Sequence, residues 1–361
     1  MPEFASPLSS LLHPHQIEVQ EFDSYALVID ARPPAEYEED HLPGAVNVPV
    51  LPLAIPSRAA RGVPGNSSNG PVRRLEGVPE ALAAYASRLS PDDRVLVYCH
   101  RGGLDSIVWA EPLRAAGLSV DVLPGGWPNY RRWVAAGLEV LPRGLSFRVL
   151  QAPPLSGIER VLAALEFQGH QVLDLLALTG QRLVPGVLSR ADRGVSQTAF
   201  ESAVLHALRR FSPDRDVWVN ELVVHPEDSL ALPSTLAQQL RHSPAVRVLV
   251  PAAQRSHAWQ QNLNASKADL DQVVSALCAL PAAPTKTMTA HWQKAATREG
   301  SGPALTAIIE EFIDPRYDRL SAECAARPIE CTLEIDSLVP LRGRAPAAIP
   351  ELAAALATPS H

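Results

Sequence analysis

The sequence predicts an α/β protein built around mainly parallel sheets. Short apolar runs at 26–30 and 93–99 alternate with segments of helical periodicity such as 77–89, which is typical of parallel strands joined by helices. The alternation restarts after residue 144, where the strand-like run 147–150 precedes an amphipathic stretch at 156–169. The chain is therefore expected to form two successive α/β units.

Length and composition are those of a globular protein. With 361 residues, of which 46% are hydrophobic and 20% charged, the chain is long enough for two cores. No apolar run reaches membrane-spanning length and the start of the sequence lacks signal-peptide features, so a cytoplasmic protein without membrane contact is expected. A net charge of -7 argues against a strongly basic nucleic-acid binder, although it leaves room for a local basic face.

The pattern divides the chain into three segments. Residues 13–145 form the first unit, and residues 146–321 form a second α/β unit with a helical end. Residues 322–361, rich in alanine and proline near their end, are expected to be a loosely structured tail. Within the first unit, the glycine- and proline-rich stretch 61–75 indicates a mobile surface loop.

The four cysteines indicate free thiols. Cys99, Cys278, Cys324 and Cys331 lack the paired spacing of a zinc site, so no metal is expected. Reduced thiols agree with a reducing compartment.

The strongest chemical feature is the segment that follows the strand ending at Cys99. A cysteine that leaves a buried strand into a glycine-containing loop, with a helix behind it, lies among converging backbone N–H groups that bind anions and stabilise a thiolate. The candidate nucleophile is Cys99, and the candidate anion-binding loop comprises His100, Arg101, Gly102, Gly103, Leu104, Asp105 and Ser106. Such a thiolate suits attack on sulfane sulfur or its selenium analogue. The alternative from these residues alone is that Cys99 is a small hydrophobic side chain at a strand end.

Three segments in order, VIDARPPAEYEEDHLPGAVNVPV, VLVYCHRGG and LPGGWPNYRRW, resemble the rhodanese family. The resemblance implies that Cys99 carries the transferred sulfur. It also implies that Asp30 and Arg32 are framework residues, with Arg32 tied to a carboxylate such as Glu36, and that His41 shapes the second turn.

A narrower resemblance extends over roughly residues 20–321. YCHRGG and GGWPNYRRWV are similar to Tyr-Cys-Trp-Arg-Gly-Gly and Gly-Gly-Tyr-x-x-Tyr-Arg-Arg of the tRNA 2-selenouridine synthases. QVLDL, SQTAFES, DVWVNE, SLALP and FIDPRYDRLS then follow in that family's order, the last resembling Tyr-Asp-Pro-x-Tyr. The resemblance implies a transferase that modifies the wobble uridine of tRNA, with selenophosphate and geranyl diphosphate as substrates. The implied partners are tRNA and a selenophosphate or persulfide donor enzyme.

The sequence departs from that family where phosphate would bind. In place of a P-loop-NTPase-like phosphate loop stand residues 152–159, a degenerate loop in which the positions of interest are Ala152, Ser156, Gly157, Ile158 and Glu159. Pro153 and Pro154 have no N–H to donate. Ile158 stands where a phosphate loop has its lysine, and Glu159 adds a carboxylate. ATP or GTP binding is therefore not expected. Asp105 stands where the family has an arginine, which should weaken anion affinity.

Three hypotheses follow. The chain is a divergent tRNA 2-selenouridine synthase-like transferase that carries sulfur or selenium on Cys99. Alternatively, it is a rhodanese-type sulfurtransferase or persulfide carrier, or a non-catalytic paralogue that serves as an RNA- or partner-binding scaffold. The order of the motifs favours the first hypothesis, and the lost cationic and hydroxyl groups favour the other two.

Overall fold

The fold was analysed on a computed structural model, which describes residues 19–50, 80–90, 92–180, 195–221, 230–266, 269–280, 282–322 and 327–334. The chain separates into two compact units, Met1–Ala136 and Gly137–His361. No helix in the described ranges combines the length and apolar character needed to cross a bilayer.

The first unit contains a four-stranded parallel sheet with helices in its connections. Its strands are β1 (Leu27–Asp30), β2 (Ala45–Asn47), β3 (Arg94–Tyr98) and β4 (Ser119–Val122), in the order β2-β1-β3-β4. Its helices are α1 (Pro34–Glu39), α2 (Glu80–Ala86), α3 (Leu104–Ala115) and α4 (Gly126–Val140), the last of which runs across the boundary between the units.

The centre of this sheet is buried because its strands are apolar on both faces. The residues of β3 from Val95 to Tyr98 are all fully buried, as expected for a strand covered by helices on both sides. Trp109 and Leu113 of α3 pack with Val95, Val97 and Cys99 in one cluster. Cys99 therefore follows a strand that the core holds in place.

A buried polar group joins β1 to β3. The Arg32 side chain donates to both carboxylate oxygens of Asp30, with Nη2 2.7 Å from Oδ2, and the Tyr98 hydroxyl donates to the same carboxylate. Burial and the adjacent Asp30 carboxylate raise the pKa of the Tyr98 phenol, which therefore stays protonated and acts as a donor. Arg32 lies 3.9 Å from Glu36 but is bonded mainly to Asp30, so the carboxylate expected from the sequence is the weaker of its two partners.

The second unit contains a five-stranded parallel sheet. Its strands are β5 (Phe147–Gln151), β6 (Gln171–Leu173), β7 (Val217–Asn220), β8 (Ala245–Leu249) and β9 (Ile329–Glu334). Its shorter helices are α5 (Ile158–Phe167), α6 (Leu175–Thr179), α7 (Gln197–Leu208) and α8 (Ser234–His242). The helical end comprises α9 (Ala252–Ser266), α10 (Leu270–Cys278), α11 (Lys286–Glu299), α12 (Ser301–Ile308), a π-helical turn (Ile309–Ile313) and α13 (Asp314–Ala322).

The strand order β6-β7-β5-β8-β9 makes β5 the central strand of this sheet. The chain leaves β5 in one direction, to β6 and β7, and returns to its other side at β8, so the order reverses at β5. In open α/β sheets, ligands bind at the carboxyl ends of the strands beside such a reversal. A separate cluster that includes Trp259, Trp292 and Ile309 forms the core of the helical end.

The structure differs from the sequence-based expectation at three places. Residues 329–334 lie in the segment expected to be a loose tail, yet they form strand β9, which pairs in parallel with β8. Helix α3 begins at Leu104, inside the segment 100–106 expected to be a loop, because Gly103 serves as its N-cap. The division between the units falls after residue 136, earlier than the expected 145. The loop 61–75, Cys324 and residues 340–361 lie outside the described residues.

Tyr98→Phe should destabilise the first unit by about 2 kcal/mol, because the buried Asp30 carboxylate loses one of its donors and the Leu42 N–H, which donates to the Tyr98 oxygen, loses its partner. The matched control is Tyr37→Phe, which removes one part-buried hydrogen bond to the Ala45 carbonyl and should cost about 1 kcal/mol or less. Urea unfolding monitored by tryptophan fluorescence measures both changes. Equal midpoints for the two variants would contradict this account.

Candidate active site

Cys99 lies directly after β3, with its side chain in the core of the first unit. The residue is only 3% exposed. Its carbonyl accepts a hydrogen bond of 3.0 Å from the backbone N–H of Trp127. Two loops therefore meet at the cysteine, one between β3 and α3 and the other between β4 and α4.

The contact between these loops requires glycine on both sides. A Cβ atom on Gly102 would lie 2.5 Å from the Leu123 carbonyl oxygen, and one on Gly126 would lie 2.4 Å from the Cys99 carbonyl oxygen. Both glycines also have positive φ values, +65° and +56°. Sequence reasoning identified Gly102 as a loop residue and placed Gly126 in a recognised motif, but it did not predict the role of Gly126, which depends on a contact with a distant segment.

The loop after Cys99 presents free hydrogen-bond donors. Within the part of the chain that the structure describes, no backbone N–H group from His100 to Asp105 donates to another residue. The Ser106 hydroxyl is fully buried and also has no partner. Buried polar groups are normally satisfied, so the buried Ser106 hydroxyl, together with the N–H groups of the exposed or partly exposed residues before it, offers a place for an anion. Helix α3 starts at the same point and adds the positive end of its dipole.

The charged side chains of this loop point in different directions. His100 Nδ1 lies 3.5 Å from a Glu36 oxygen, and the His100 side chain is 56% exposed. Arg101, Leu104 and Asp105 are exposed, and Leu104 reaches 82% exposure. The loop therefore supplies backbone donors around Cys99, while its longer side chains face solvent.

The framework residues expected from the sequence lie beneath this loop. The Arg32 guanidinium stacks over the Trp127 ring at 3.8 Å, and its Nη2 donates to the Asp40 carbonyl oxygen. His41 stacks on Tyr37 with ring centroids 4.0 Å apart. Trp127 connects the two regions, because its ring covers Arg32 and its backbone N–H holds the Cys99 carbonyl.

In the second unit, the loop between β5 and α5 is closed by contacts within the protein. The Ser156 hydroxyl donates to the Pro153 carbonyl oxygen at 2.6 Å. The Pro154 carbonyl accepts from Arg255, a buried residue that also forms two hydrogen bonds with Asp314. This loop thus directs two carbonyl groups at donors of its own chain, the reverse of a phosphate loop, in which N–H groups point inward.

The remaining loop positions named from the sequence differ in exposure. Gly157 adopts a φ of +69° and caps α5, and Ile158 is the first residue of that helix. Ala152 is partly buried, and Glu159 is exposed in the first turn of α5. A carboxylate at that end of a helix interacts favourably with its dipole and occupies the position where an anion would bind.

A cavity of about 820 Å³ lies at the carboxyl ends of β5 and β8. Its lining comes mainly from β8, α9, α13 and β9, and the loop between β5 and α5 contributes Pro153. One wall is a polar network around Glu221, whose carboxylate accepts from Tyr317 at 2.8 Å and from Arg327 at 2.8 Å. Burial and the Glu221 carboxylate raise the pKa of Tyr317, which keeps its proton in this bond.

These contacts explain two of the motifs recognised in the sequence. DVWVNE ends in Glu221 and FIDPRYDRLS contains Tyr317, and the hydrogen bond between the two residues anchors α13 to the sheet. Asp314 of the same motif anchors α13 to Arg255 of α9. Sequence reasoning missed Arg255, because nothing local distinguishes it from the other arginines of the chain.

Known proteins similar to this chain fall into two groups. The family model of the Rhodanese-like domain matches residues 16–132. Over 249 residues the chain is 26% identical to a tRNA 2-selenouridine synthase of Nitrosomonas europaea, with 63% of this chain and 61% of the relative covered. It is 26% identical to a tRNA 2-selenouridine synthase of Chromohalobacter salexigens, with 62% of this chain and 61% of that relative covered. It is 28% identical to one of Hahella chejuensis, with 65% of this chain and 62% of that relative covered.

The chain thus spans about three fifths of the length of these curated relatives. The solved structure of a thiosulfate sulfurtransferase of Pseudomonas aeruginosa aligns with 85% of this chain and 60% of its own chain at 16% identity. The TM-score of 0.17 is too low to indicate a shared overall fold. The region shared with the relatives is longer than the rhodanese-like match. The chain therefore carries a rhodanese-like domain and is related to the tRNA 2-selenouridine synthases.

Proposed function

We propose that the protein is a transferase that carries sulfur or selenium on Cys99 and delivers it to the wobble 2-thiouridine of tRNA. In the delivery step the terminal selenium attacks C2 of the base, the bond from C2 to sulfur breaks and sulfide leaves, and a small-molecule thiol then supplies the two electrons that cleave the bond between Cys99 and the selenium. The observation that carries this proposal is the set of free donors around Cys99, formed by the backbone N–H groups of residues 100–105 and the buried hydroxyl of Ser106. Hydrogen-bond donors of this kind do not stabilise a neutral structural cysteine, whereas they do stabilise a terminal sulfur or selenium anion.

The first step needs no group beyond those described. The Cys99 thiolate attacks the sulfane sulfur of a donor such as thiosulfate, the sulfur–sulfur bond of the donor breaks, and sulfite leaves with the electron pair. The product is a Cys99 persulfide whose terminal sulfur carries the negative charge, and the loop donors stabilise that charge. Selenosulfate, the selenium analogue of thiosulfate, reacts in the same way, and sulfite again leaves with the electron pair of the broken bond.

Similarity beyond the first unit supports tRNA as the acceptor. A protein whose only task is to carry a persulfide needs the rhodanese-like domain alone, which matches residues 16–132. The region similar to tRNA 2-selenouridine synthases covers 249 residues, and the Glu221–Tyr317 contact joins two of the motifs in its second part. We infer that the second unit binds the tRNA that accepts the sulfur or selenium.

A second candidate function is supported by the loop between β5 and α5. Its proline carbonyls bond to Ser156 and Arg255, and Glu159 adds a negative charge, so neither selenophosphate nor geranyl diphosphate finds a phosphate site there. A sulfurtransferase or persulfide carrier needs only Cys99 and its loop. A non-catalytic scaffold that binds RNA or a partner remains as the outcome in which Cys99 takes up no sulfur.

Cys99 should be the thiol that takes up sulfur. Incubation with thiosulfate should add the mass of one sulfur atom to the peptide that contains Cys99, and Cys99→Ala should abolish the addition. Cys278 is exposed but has no loop of N–H donors beside it. The pKa of the Cys331 thiol is raised, mainly by burial and also by the negative charge of Glu330. Neither thiol should therefore react with thiosulfate as fast as Cys99. Cys278→Ala is the matched control and should load normally; equal labelling of Cys278 and Cys99 would refute the assignment.

Mg-ATP should bind with a dissociation constant of about 1 mM or weaker, equivalent to about -4 kcal/mol, because the loop between β5 and α5 offers carbonyl groups in place of N–H donors. Isothermal titration calorimetry measures this, with geranyl diphosphate as a second ligand. Low-micromolar binding would contradict the proposed loss of the phosphate site. Arg247→Gln would then show whether the cavity provides the binding surface.

Expression in a bacterial strain that lacks its own tRNA 2-selenouridine synthase should restore some 2-selenouridine, measured by nucleoside mass spectrometry. The amount of 2-selenouridine should stay below that made by the synthase that the strain lacks. The reason is that Asp105 and the proline-containing loop offer no cation to stabilise an anionic group. Cys99→Ala should abolish the product and Cys278→Ala should not. If Cys99 takes up sulfur but no 2-selenouridine forms, the persulfide-carrier function replaces the proposed one.

A further inference from the structure

The two consecutive arginines of α4 have different environments. Arg131 forms an ion pair with the buried carboxylate of Asp40 at 3.2 Å, so it helps to hold the framework beneath Cys99. Arg132 is exposed and forms no hydrogen bond or ion pair with any residue in the described ranges. Consecutive residues on a helix point about 100° apart, which explains why one arginine lies in the framework and the other faces outward.

Arg132 reaches the outer edge of the Cys99 loop. Its Nη2 lies 3.7 Å from the position that a Cβ atom would take on Gly125. The backbone nitrogen of Gly125 in turn lies 2.9 Å from the position of a Cβ atom on Gly102. The Arg132 guanidinium therefore lies beside the junction of the two loops that meet at Cys99.

The other cationic groups near Cys99 are placed less well to meet an anion there. Arg32 is buried and bonded to Asp30, and His100 leans toward Glu36. Arg101 is exposed, with no contact that fixes it. Asp105, in the first turn of α3, contributes a negative charge. Arg132 is therefore the cation whose helix places it at the loop junction.

We propose that Arg132 is a positioning residue that binds the anionic part of the chalcogen donor beside Cys99. The ligand chemistry is a tetrahedral oxyanion, such as the sulfonate group of thiosulfate or of its selenium analogue selenosulfate. A guanidinium offers two parallel N–H groups that match two oxygens of such an anion. As the sulfur–sulfur bond of thiosulfate breaks, the departing sulfite gains the electron pair, and Arg132 stabilises the developing charge. This proposal rests on the proposed function and specifies how its donor is recognised.

The test compares two alkylating reagents of similar size at Cys99, the anionic iodoacetate and the neutral iodoacetamide. Both react with the thiolate and meet the same steric barrier, so the ratio of their rates reports the local positive charge rather than thiol acidity or exposure. Arg132→Gln should lower the iodoacetate-to-iodoacetamide ratio about three- to tenfold, as expected for loss of one nearby charge in a solvent-accessible site. Arg132→Lys should retain most of the ratio.

Arg88→Gln is the matched control. Arg88 is also exposed and without a side-chain partner in the described residues, but it lies near the amino end of β3, at the edge of the sheet opposite Cys99. Its ratio should equal that of the natural protein, and Asp105→Arg should raise the ratio. Sulfate and phosphate, added separately, should slow iodoacetamide labelling in the natural protein and less so in Arg132→Gln; the stronger of the two identifies the preferred oxyanion.

An unchanged ratio in Arg132→Gln, or an equal fall in Arg88→Gln, would overturn the proposal. The same variants separate this result from the proposed function. If the natural protein takes up sulfur from thiosulfate and Arg132→Gln does so at the same half-saturating concentration, the function stands and the role of Arg132 is refuted. If the ratio falls as expected but the natural protein takes up no sulfur, the oxyanion subsite stands, and both the transfer chemistry and the donor role of Arg132 are refuted.

Discussion

The first unit depends on one buried ion pair and the groups around it. Asp30 and Arg32 are 0% and 3% exposed, so two charges lie in the core, where each would be costly without its partner. The Tyr98 hydroxyl and the Asp40 carbonyl satisfy further donors and acceptors of the pair. Because these residues come from β1, β3 and the chain after α1, the ion pair fixes the relative positions of three segments.

The same ion pair connects the framework to the chemistry of the site. Trp127 lies over the Arg32 guanidinium, and the backbone of Trp127 holds the carbonyl of Cys99. A change in the position of Arg32 would therefore displace the ring above it and the loop that the ring belongs to. The order of the cysteine loop therefore depends on a charge pair that lies outside the loop itself.

The sequence predicted those parts of the structure that local patterns determine. Apolar runs located β1, β3, β5, β7 and β8, and the cysteine between a strand and a glycine-containing loop located the candidate site. Strand β9 was missed because its apolar residues alternate with polar ones beside an alanine- and proline-rich stretch, and its position as an edge strand is fixed only by pairing with β8. Arg132 and Arg255 were also missed as site residues, since the sequence shows an arginine but not the distant backbone that it meets.

The burial of Cys99 has a consequence for the direction of transfer. A sulfur–sulfur bond is about 2 Å long, so a persulfide extends the side chain outward by roughly that distance. The thiol itself is nearly enclosed, whereas the second chalcogen atom of the proposed persulfide would extend toward the loop donors. In the proposed transfer an acceptor would meet the cargo atom before Cys99, and without its cargo the buried Cys99 presents almost no sulfur to the surrounding solution.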